Sequence, residues 1–582
     1  MTTQTKPVQP TSNTRSNRQN LLFNILLVAS ILYGCIAAYQ NRWVCDDAFI
    51  SYRYALNLVE GKGLVFNAGE RVEGYSNFLW TLWCAVPLQL GIRCETWTIY
   101  WGIICYAASI WMMGTLARLV SAKVSPATTV VPVAAILAAV HEDWNVFATS
   151  GLETSLFTML AVAGFVLFAR GEIEGRHRPI TTGIVITLAS LTRPDGVIFA
   201  VVLGGAYLAL GRPRWRTTIL YVLAFGIPHA AFLAWRVWYY GDIFPNTYYA
   251  KSGNLAWWGQ GWAYLMLYLQ KYWATSLGVI GFMLCMFVRD GDSQLRNTDQ
   301  KLRRLAIVAA GMAGAYMLYI VRVGGDFMFA RMLIPATPFL LILIELGMMR
   351  LPLPGLLVRT VATAAICIAL VLPRYPMTQF EFVSGVVNEH LFYGTQLLDA
   401  ERDNRSAVLR KYFADVPVCI AFLGAEAHAM YRGRIATAIE SEAGLTDQLV
   451  AHQAVSGRGR VGHEKNATLD YLIRQRKTHF TFHSSAVEIL KLPQQLVSIR
   501  VSLDGLPGFV LMWDPAMVAE VRRRGGEIED LPTKIDEWIG QLTQASDAEV
   551  SDLYKKLRLM YFEHVSDPTR EAPFLKRLKR VP

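Results

Sequence analysis

The chain has 582 residues, 53% hydrophobic and only 17% charged, whereas a soluble protein usually carries about a quarter charged residues. A membrane protein is indicated, and the net charge of +11 reads as basic cytoplasmic loops, so no nucleic-acid partner is expected. The 8 Cys form no C-x-x-C pair, which excludes a zinc ribbon and a dithiol redox site.

Residues 1–20, with Lys6, Arg15 and Arg18, read as a disordered cytoplasmic tail. The apolar run Leu21 to Ala38 is too long for a signal-peptide core and more spans follow it, so it reads as an uncleaved first span. Further apolar segments lie at 97–117, 127–140, 154–169, 180–192, 196–210, 217–238, 262–288, 304–321, 332–349 and 353–373. A polytopic α-helical membrane domain of about eleven transmembrane helices is expected over residues 21–373. With the N-terminus in the cytoplasm, Arg118 and Lys123, Arg170 to Arg178, Arg212 to Arg216, Arg289 to Arg304 and Arg350 to Arg359 all fall inside, which is the positive-inside pattern. This holds only if Asn77 to Gly91, within a first outer loop of residues 40–96, lies along the interface or re-enters; a crossing there would flip every later loop.

Residues 374–582 are far more polar and read as a C-terminal extracytoplasmic α/β domain. Val416 to Leu423, Thr478 to His483 and Leu496 to Val501 have strand character, while Leu445 to Ala454 and Lys534 to Val565 read as helices.

This topology puts the carboxylate-bearing motifs on the outer side: Asp46-Asp47, Gly151-Leu152-Glu153, Arg193-Pro194-Asp195-Gly196, Gly241-Asp242 with Asn246, and Gly325-Asp326 followed by Arg331. Charges at a membrane boundary are costly unless solvated or paired, so one convergent cluster is a functional hypothesis. Ala48, Tyr52, Ala55 and Val59 share a helical face, which predicts a short helix directly after the acidic pair. Asp47 suits two roles there, cap of that helix or general base on an acceptor hydroxyl. Arg193, Lys251, Arg322 and Arg331 are the outer cations able to neutralise a lipid phosphate, with Arg331 and Arg193 preferred because an acid lies close by. Tyr52, Trp238, Tyr239, Tyr240, Tyr248 and Tyr249 suit either sugar stacking or an interfacial aromatic belt. A tight zinc site is not supported by His428 and Glu426, but Mg²⁺ or Mn²⁺ held by acids and a phosphate is compatible with these residues.

The order of one span, an outer loop opening on an acidic pair, many further spans and a C-terminal outer domain resembles the GT-C superfamily of polyprenyl-phosphate-sugar glycosyltransferases. Within it, the stretch Asp46 to Asn77 and the Gly151-Leu152-Glu153 element resemble the terminal arabinofuranosyltransferases of mycobacterial and corynebacterial cell walls, as do Gly444-Leu445-Thr446-Asp447 and Gly462-His463-Glu464-Lys465. The resemblance implies transfer of a sugar, D-arabinofuranose in that family, from a polyprenyl phosphate on the outer face of a bacterial inner membrane. It also implies that Asp46 and Asp47 form the catalytic pair and that His463 and Glu464 contribute to acceptor binding or close over the active site. Glu153 and Asp195, with Tyr52, Asp326 and the cations Arg193, Lys251 and Arg331, complete the expected substrate-binding set. The acceptor stays open between arabinan and another cell-envelope glycan or glycoconjugate. Two other classes stay open as well: a transporter or lipid flippase, which would show paired repeats and broken midplane helices, and a non-catalytic scaffold of the cell envelope.

Overall fold

The computed structural model describes residues 12–578 apart from 125–130, 211–214, 289–295, 352–354, 401–402, 456, 458, 460–461 and 483–489. Arg289, Arg212 and His483, together with residues 1–11 of the expected tail, lie outside the described residues.

The first helix, α1 (Ser12–Gln40), begins upstream of the apolar run and is followed by α2 (Ala48–Val59) and α3 (Phe78–Gln89). The helix expected after the acidic pair is therefore present, but Asp47 adopts helical backbone angles and its side chain caps nothing. Helix α3 has 12 residues, about 18 Å at 1.5 Å per residue, which is shorter than a bilayer core. Then come α4 (Cys94–Val124), α5 (Val133–Val140), α6 (Glu142–Phe147), α7 (Thr154–Glu174), α8 (Pro179–Thr192), α9 (Gly196–Ala209) and α10 (Trp215–Tyr240). The helical part ends with α11 (Asn246–Ala250), α12 (Trp258–Tyr272), α13 (Leu277–Phe287), α14 (Arg296–Val323), α15 (Thr337–Arg350) and α16 (Gly355–Val371).

Among the described residues, five helices are long and apolar enough to cross a membrane: α1, α4, α7, α10 and α14. The other expected spans are helical but shorter, and the expected span over 262–288 is split into α12 and α13 by a single 3₁₀ turn at Trp273–Ser276. Packing sets two kinds of helix apart. Every residue of α15 is buried, whereas only 11% of the α10 apolar window is buried, leaving Ile219, Leu223, Ile227 and Trp238 exposed as a lipid-facing flank. Helix α13 approaches α15 through glycine: a Cβ on Gly281 would lie 2.1 Å from the Leu343 carbonyl oxygen, the close approach that small residues permit between membrane helices.

The C-terminal domain carries a six-stranded sheet in the order β2-β1-β3-β5-β4-β6, comprising β1 (Cys419–Phe422), β2 (Thr437–Glu440), β3 (Phe480–Thr481), β4 (Arg500–Leu503), β5 (Leu506–Val510) and β6 (Glu527–Ile528). Strand β1 pairs in parallel with both β2 and β3, and the remaining pairs are antiparallel. Two of the expected strands are present in shortened form, and the one expected over Leu496 to Val501 lies further along, at Arg500–Leu503. The helix expected over Leu445 to Ala454 is only Gln448–Ala451. The one expected over Lys534 to Val565 is two helices, Leu531–Gln541 and Asp547–Leu557, because Ser546 starts the second with a reciprocal capping box to Glu549. Three more helices matter for the site: α17 (Glu389–Tyr393), α18 (Asn404–Phe413) and α19 (Ala427–Arg432).

Candidate active site

Four of the five carboxylate motifs meet at one end of the helical bundle. Arg193, at the C-terminal end of α8, donates from Nη1 to Glu153 at 2.9 Å and from Nε and Nη2 to Asp195 at 3.0 and 2.9 Å. Tyr316 of α14 donates to the same Asp195 at 2.8 Å, and Asn77 donates to Glu153 at 2.9 Å. Burial opposes ionisation of Glu153, but Arg193 and Arg331 outweigh it and hold the carboxyl below its usual range.

Arg331 follows the turn Gly324-Gly325-Asp326, where both glycines have positive φ, 94° and 74°; any other residue is strained there. Its Nη1 lies 3.7 Å from Asp47 Oδ2 and its Nε lies 3.5 Å from Asp326 Oδ2. These are loose ion pairs rather than full hydrogen bonds. Burial pushes the Asp47 carboxyl above the ordinary range, with Arg331 and Lys251 pulling the other way.

Asp47 opens onto a cavity of about 230 Å³ that is also lined by Lys251, Phe327, Glu389, Glu440 and His463. The His463 and Phe327 rings meet edge to face at 5.2 Å. Part of the wall is Phe422 at the end of β1 with the following Leu423 to Ala425, beside Glu440 at the end of β2. The cavity therefore lies outside the carboxyl ends of parallel strands, where the chain leaves β1 for β2 on one side and returns to β3 on the other. That switch point is the ligand-binding place of open α/β sheets. Glu440 accepts backbone N–H groups from Glu442, Ala443 and Leu445, while burial raises its pKa.

Asp46 faces away from this cavity. It is 2% exposed, and its oxygens accept from the backbone N–H groups of Ala427 at 3.0 Å and His428 at 2.9 Å, with His428 Nδ1 at 2.7 Å.

Of the residues singled out in the sequence, Asp47, Lys251 and His463 line the cavity, and Asp326 and Arg331 back it. Glu153, Arg193 and Asp195 are not among the lining residues, and their polar atoms bond one another; Arg193 Nη2 also donates to Met332 Sδ, next to Arg331, at 3.0 Å. Tyr52 is wholly buried and its hydroxyl is bonded to Thr98 at 2.7 Å, so it packs the core and does not stack on a sugar. Tyr239 and Tyr240 hold the first loop, through Leu64 N and Leu64 O. Glu389 and Glu440 were not found from sequence, since only the tertiary fold brings these isolated acids to the cavity. As for Mg²⁺ or Mn²⁺, the space between Asp47 and Asp326 is occupied by the Arg331 guanidinium. Among the described residues no three His, Cys, Asp or Glu side chains converge on a metal position.

No family model matches the chain. Among curated proteins, a terminal β-(1→2)-arabinofuranosyltransferase of Corynebacterium glutamicum is 32% identical over 339 residues, which is 52% of this chain and 48% of that protein. The terminal β-(1→2)-arabinofuranosyltransferase of Mycobacterium tuberculosis is 29% identical over 367 residues, 58% of this chain and 57% of that one. Among solved structures, the Archaeoglobus fulgidus oligosaccharyltransferase tethered to an acceptor peptide aligns over 84% of this chain and 74% of its own with TM-score 0.49 and 10% identity, a likeness too weak to carry a fold assignment. The chain is thus similar to terminal β-(1→2)-arabinofuranosyltransferases and spans about half the length of the curated relatives it matches.

Proposed function

We propose that the chain is a GT-C-type membrane glycosyltransferase that transfers D-arabinofuranose from a polyprenyl-phosphate donor to a cell-envelope glycan or glycoconjugate, working on the outer face of a bacterial inner membrane. The similarity to two arabinofuranosyltransferases carries this reading, and it is supported by the carboxylate Asp47 in a cavity at one end of an apolar helical bundle. In the proposed reaction the acceptor hydroxyl oxygen attacks the anomeric carbon. The bond from that carbon to the phosphate oxygen breaks, its electron pair leaves with the polyprenyl phosphate, and the hydroxyl proton passes to Asp47. A base in this role needs hydrogen-bond reach and a free oxygen, which the half-buried Asp47 offers. Arg331 and Lys251 neutralise the charge that grows on the leaving phosphate, Arg331 with a planar fork. The exposed apolar flank of α10 suits the polyprenyl tail.

The test is sugar transfer in membranes from labelled polyprenyl-phosphate-arabinose, with wild type and Asp47→Asn at equal expression. Transfer by wild type that collapses in the variant supports both donor and base. Absence of transfer by wild type would sink the arabinose donor, and transfer surviving the substitution would sink Asp47.

A further inference from the structure

The two acids of the pair point to different tasks. Asp46 receives the first free N–H groups of α19, at Ala427 and His428. Arg53, about two turns further on and within α2, reaches the C-terminal half of the same helix and the segment beyond it: Nη1 donates to the Met430 carbonyl at 2.8 Å, and Nη2 to the Ile435 carbonyl, past the end of α19, at 2.7 Å. An anion thus sits at the positive end of α19 and a cation near its negative end, one from just before α2 and one from within it, which matches the helix dipole at each terminus. Asn67 extends the grip, because its side-chain amide accepts from Ala438 N and donates to Ala438 O at 3.0 Å each, in the manner of a strand paired along β2. The segment Phe422 to Ala425, which leads directly into the Asp46-held start of α19, lines the cavity together with Asp47.

We infer that Asp46 is a positioning residue rather than a reacting one: with Arg53 it pins both ends of α19 and so fixes the β1-end wall of the cavity at the distance the donor sugar requires, leaving Asp47 as the only acid of the pair that meets substrate. This rests on the proposed glycosyl transfer for its kinetic consequence but not for the pinning itself. Both Asp46 oxygens are already engaged by α19, and no acceptor hydroxyl can approach a carboxylate that is 2% exposed. Asn in its place keeps one acceptor oxygen and turns the other into a donor aimed at a backbone N–H. The α19 terminus is thereby loosened without removing the other contacts that dock the domain, among them Arg432 to Glu95 and Arg476 to Glu70.

The experiment compares full-length wild type, Asp46→Asn and Asp47→Asn in lipid nanodiscs by two readouts. In amide hydrogen exchange, Ala427 and His428 should exchange about tenfold faster or more in Asp46→Asn, the loss expected for hydrogen bonds to a charged acceptor, and should be unchanged in Asp47→Asn. In transfer from polyprenyl-phosphate-arabinose, Asp46→Asn should raise KM about tenfold with kcat within about threefold, whereas Asp47→Asn should lower kcat about a thousandfold. Unaltered exchange at 427–428 in Asp46→Asn, or a collapse of its kcat at constant KM, overturns the assignment. Absence of transfer by wild type overturns the donor reading instead, and the exchange data still decide whether Asp46 pins α19.

Discussion

Asp47 Oδ2 and Arg331 Nη1 stand 3.7 Å apart, and the same guanidinium reaches Asp326 Oδ2 at 3.5 Å through its Nε. One cation is thus shared between two carboxylates at distances beyond a full hydrogen bond, and its Nη1 donates to Met328 Sδ at 2.9 Å, a weak sulfur acceptor that a phosphate oxygen would displace. The arrangement fixes a pH dependence. Burial raises the Asp47 pKa, while Arg331 and Lys251 favour the ionised form and lower it. The base must be ionised, so activity rises with pH through this raised pKa, and the acid limb of kcat/KM lies above the ordinary carboxylate value of about 4. Arg331→Gln removes a lowering charge and should move that limb to higher pH. A limb that stays put or moves down in Arg331→Gln would mean that Asp47 is not the titrating base.

Arg331→Lys keeps the charge but loses the planar fork. If the side chain meets the departing phosphate, the substitution should lower kcat about ten- to a hundredfold with little change in melting temperature, and Arg331→Ala should lose about a further tenfold. A loss confined to KM would instead place Arg331 in ground-state binding.

Arg193 is the counterexample, because its donors are committed at 2.9 to 3.0 Å to Glu153 and Asp195. Removing one partner of a buried ion network leaves the others unpaired, at about 3–5 kcal/mol. Arg193→Met should therefore melt several degrees lower in detergent, and Arg193→Met with Glu153→Gln should cost less than the sum of the two changes. Normal melting with lost turnover would put Arg193 at the substrate.

The legibility of this molecule in its sequence follows the range of the forces involved. The apolar runs and the α2 periodicity at Ala48, Tyr52, Ala55 and Val59 depend on local spacing, and among the described residues each contains a helix. The meeting of Asp47, Lys251, Asp326 and Arg331 in one neighbourhood fits the expectation that the charge bias of the loops sorts their motifs to one side of the bundle, whereas His463 was singled out only by the family resemblance. The opposite roles of Asp46 and Asp47 could not follow. Adjacent residues at a helix start point about 100° apart, but which one meets the cavity is decided by α19, a contact 381 residues away in the chain. Glu440 was equally hidden, since β2 has only four residues and its acid is held by a backbone nest. The break at Ser546 was readable, as a Ser followed three residues later by Glu549 is a capping box, but the helical periodicity on both sides masked it.

Gly151, in the Gly-Leu-Glu element, supports the acidic pair from behind. It has φ +80°, and a Cβ there would lie 2.7 Å from Tyr52 Oη, 2.8 Å from Ala48 Cβ and 3.0 Å from Val44 Cγ1. Its carbonyl also accepts from Trp80 Nε1 at 2.9 Å. Gly151→Ala therefore combines left-handed strain of about 1–2 kcal/mol with pressure on the first turn of α2, immediately beside Asp47. Melting should fall by several degrees and kcat with it, although Gly151 touches no substrate. Tyr52→Phe removes the nearest atom at the cost of the Thr98 hydrogen bond, about 1 kcal/mol, so the Gly151→Ala, Tyr52→Phe pair should be more stable than the sum of its single changes. Strict additivity in that cycle would show that backbone strain alone, without crowding against α2, explains the glycine.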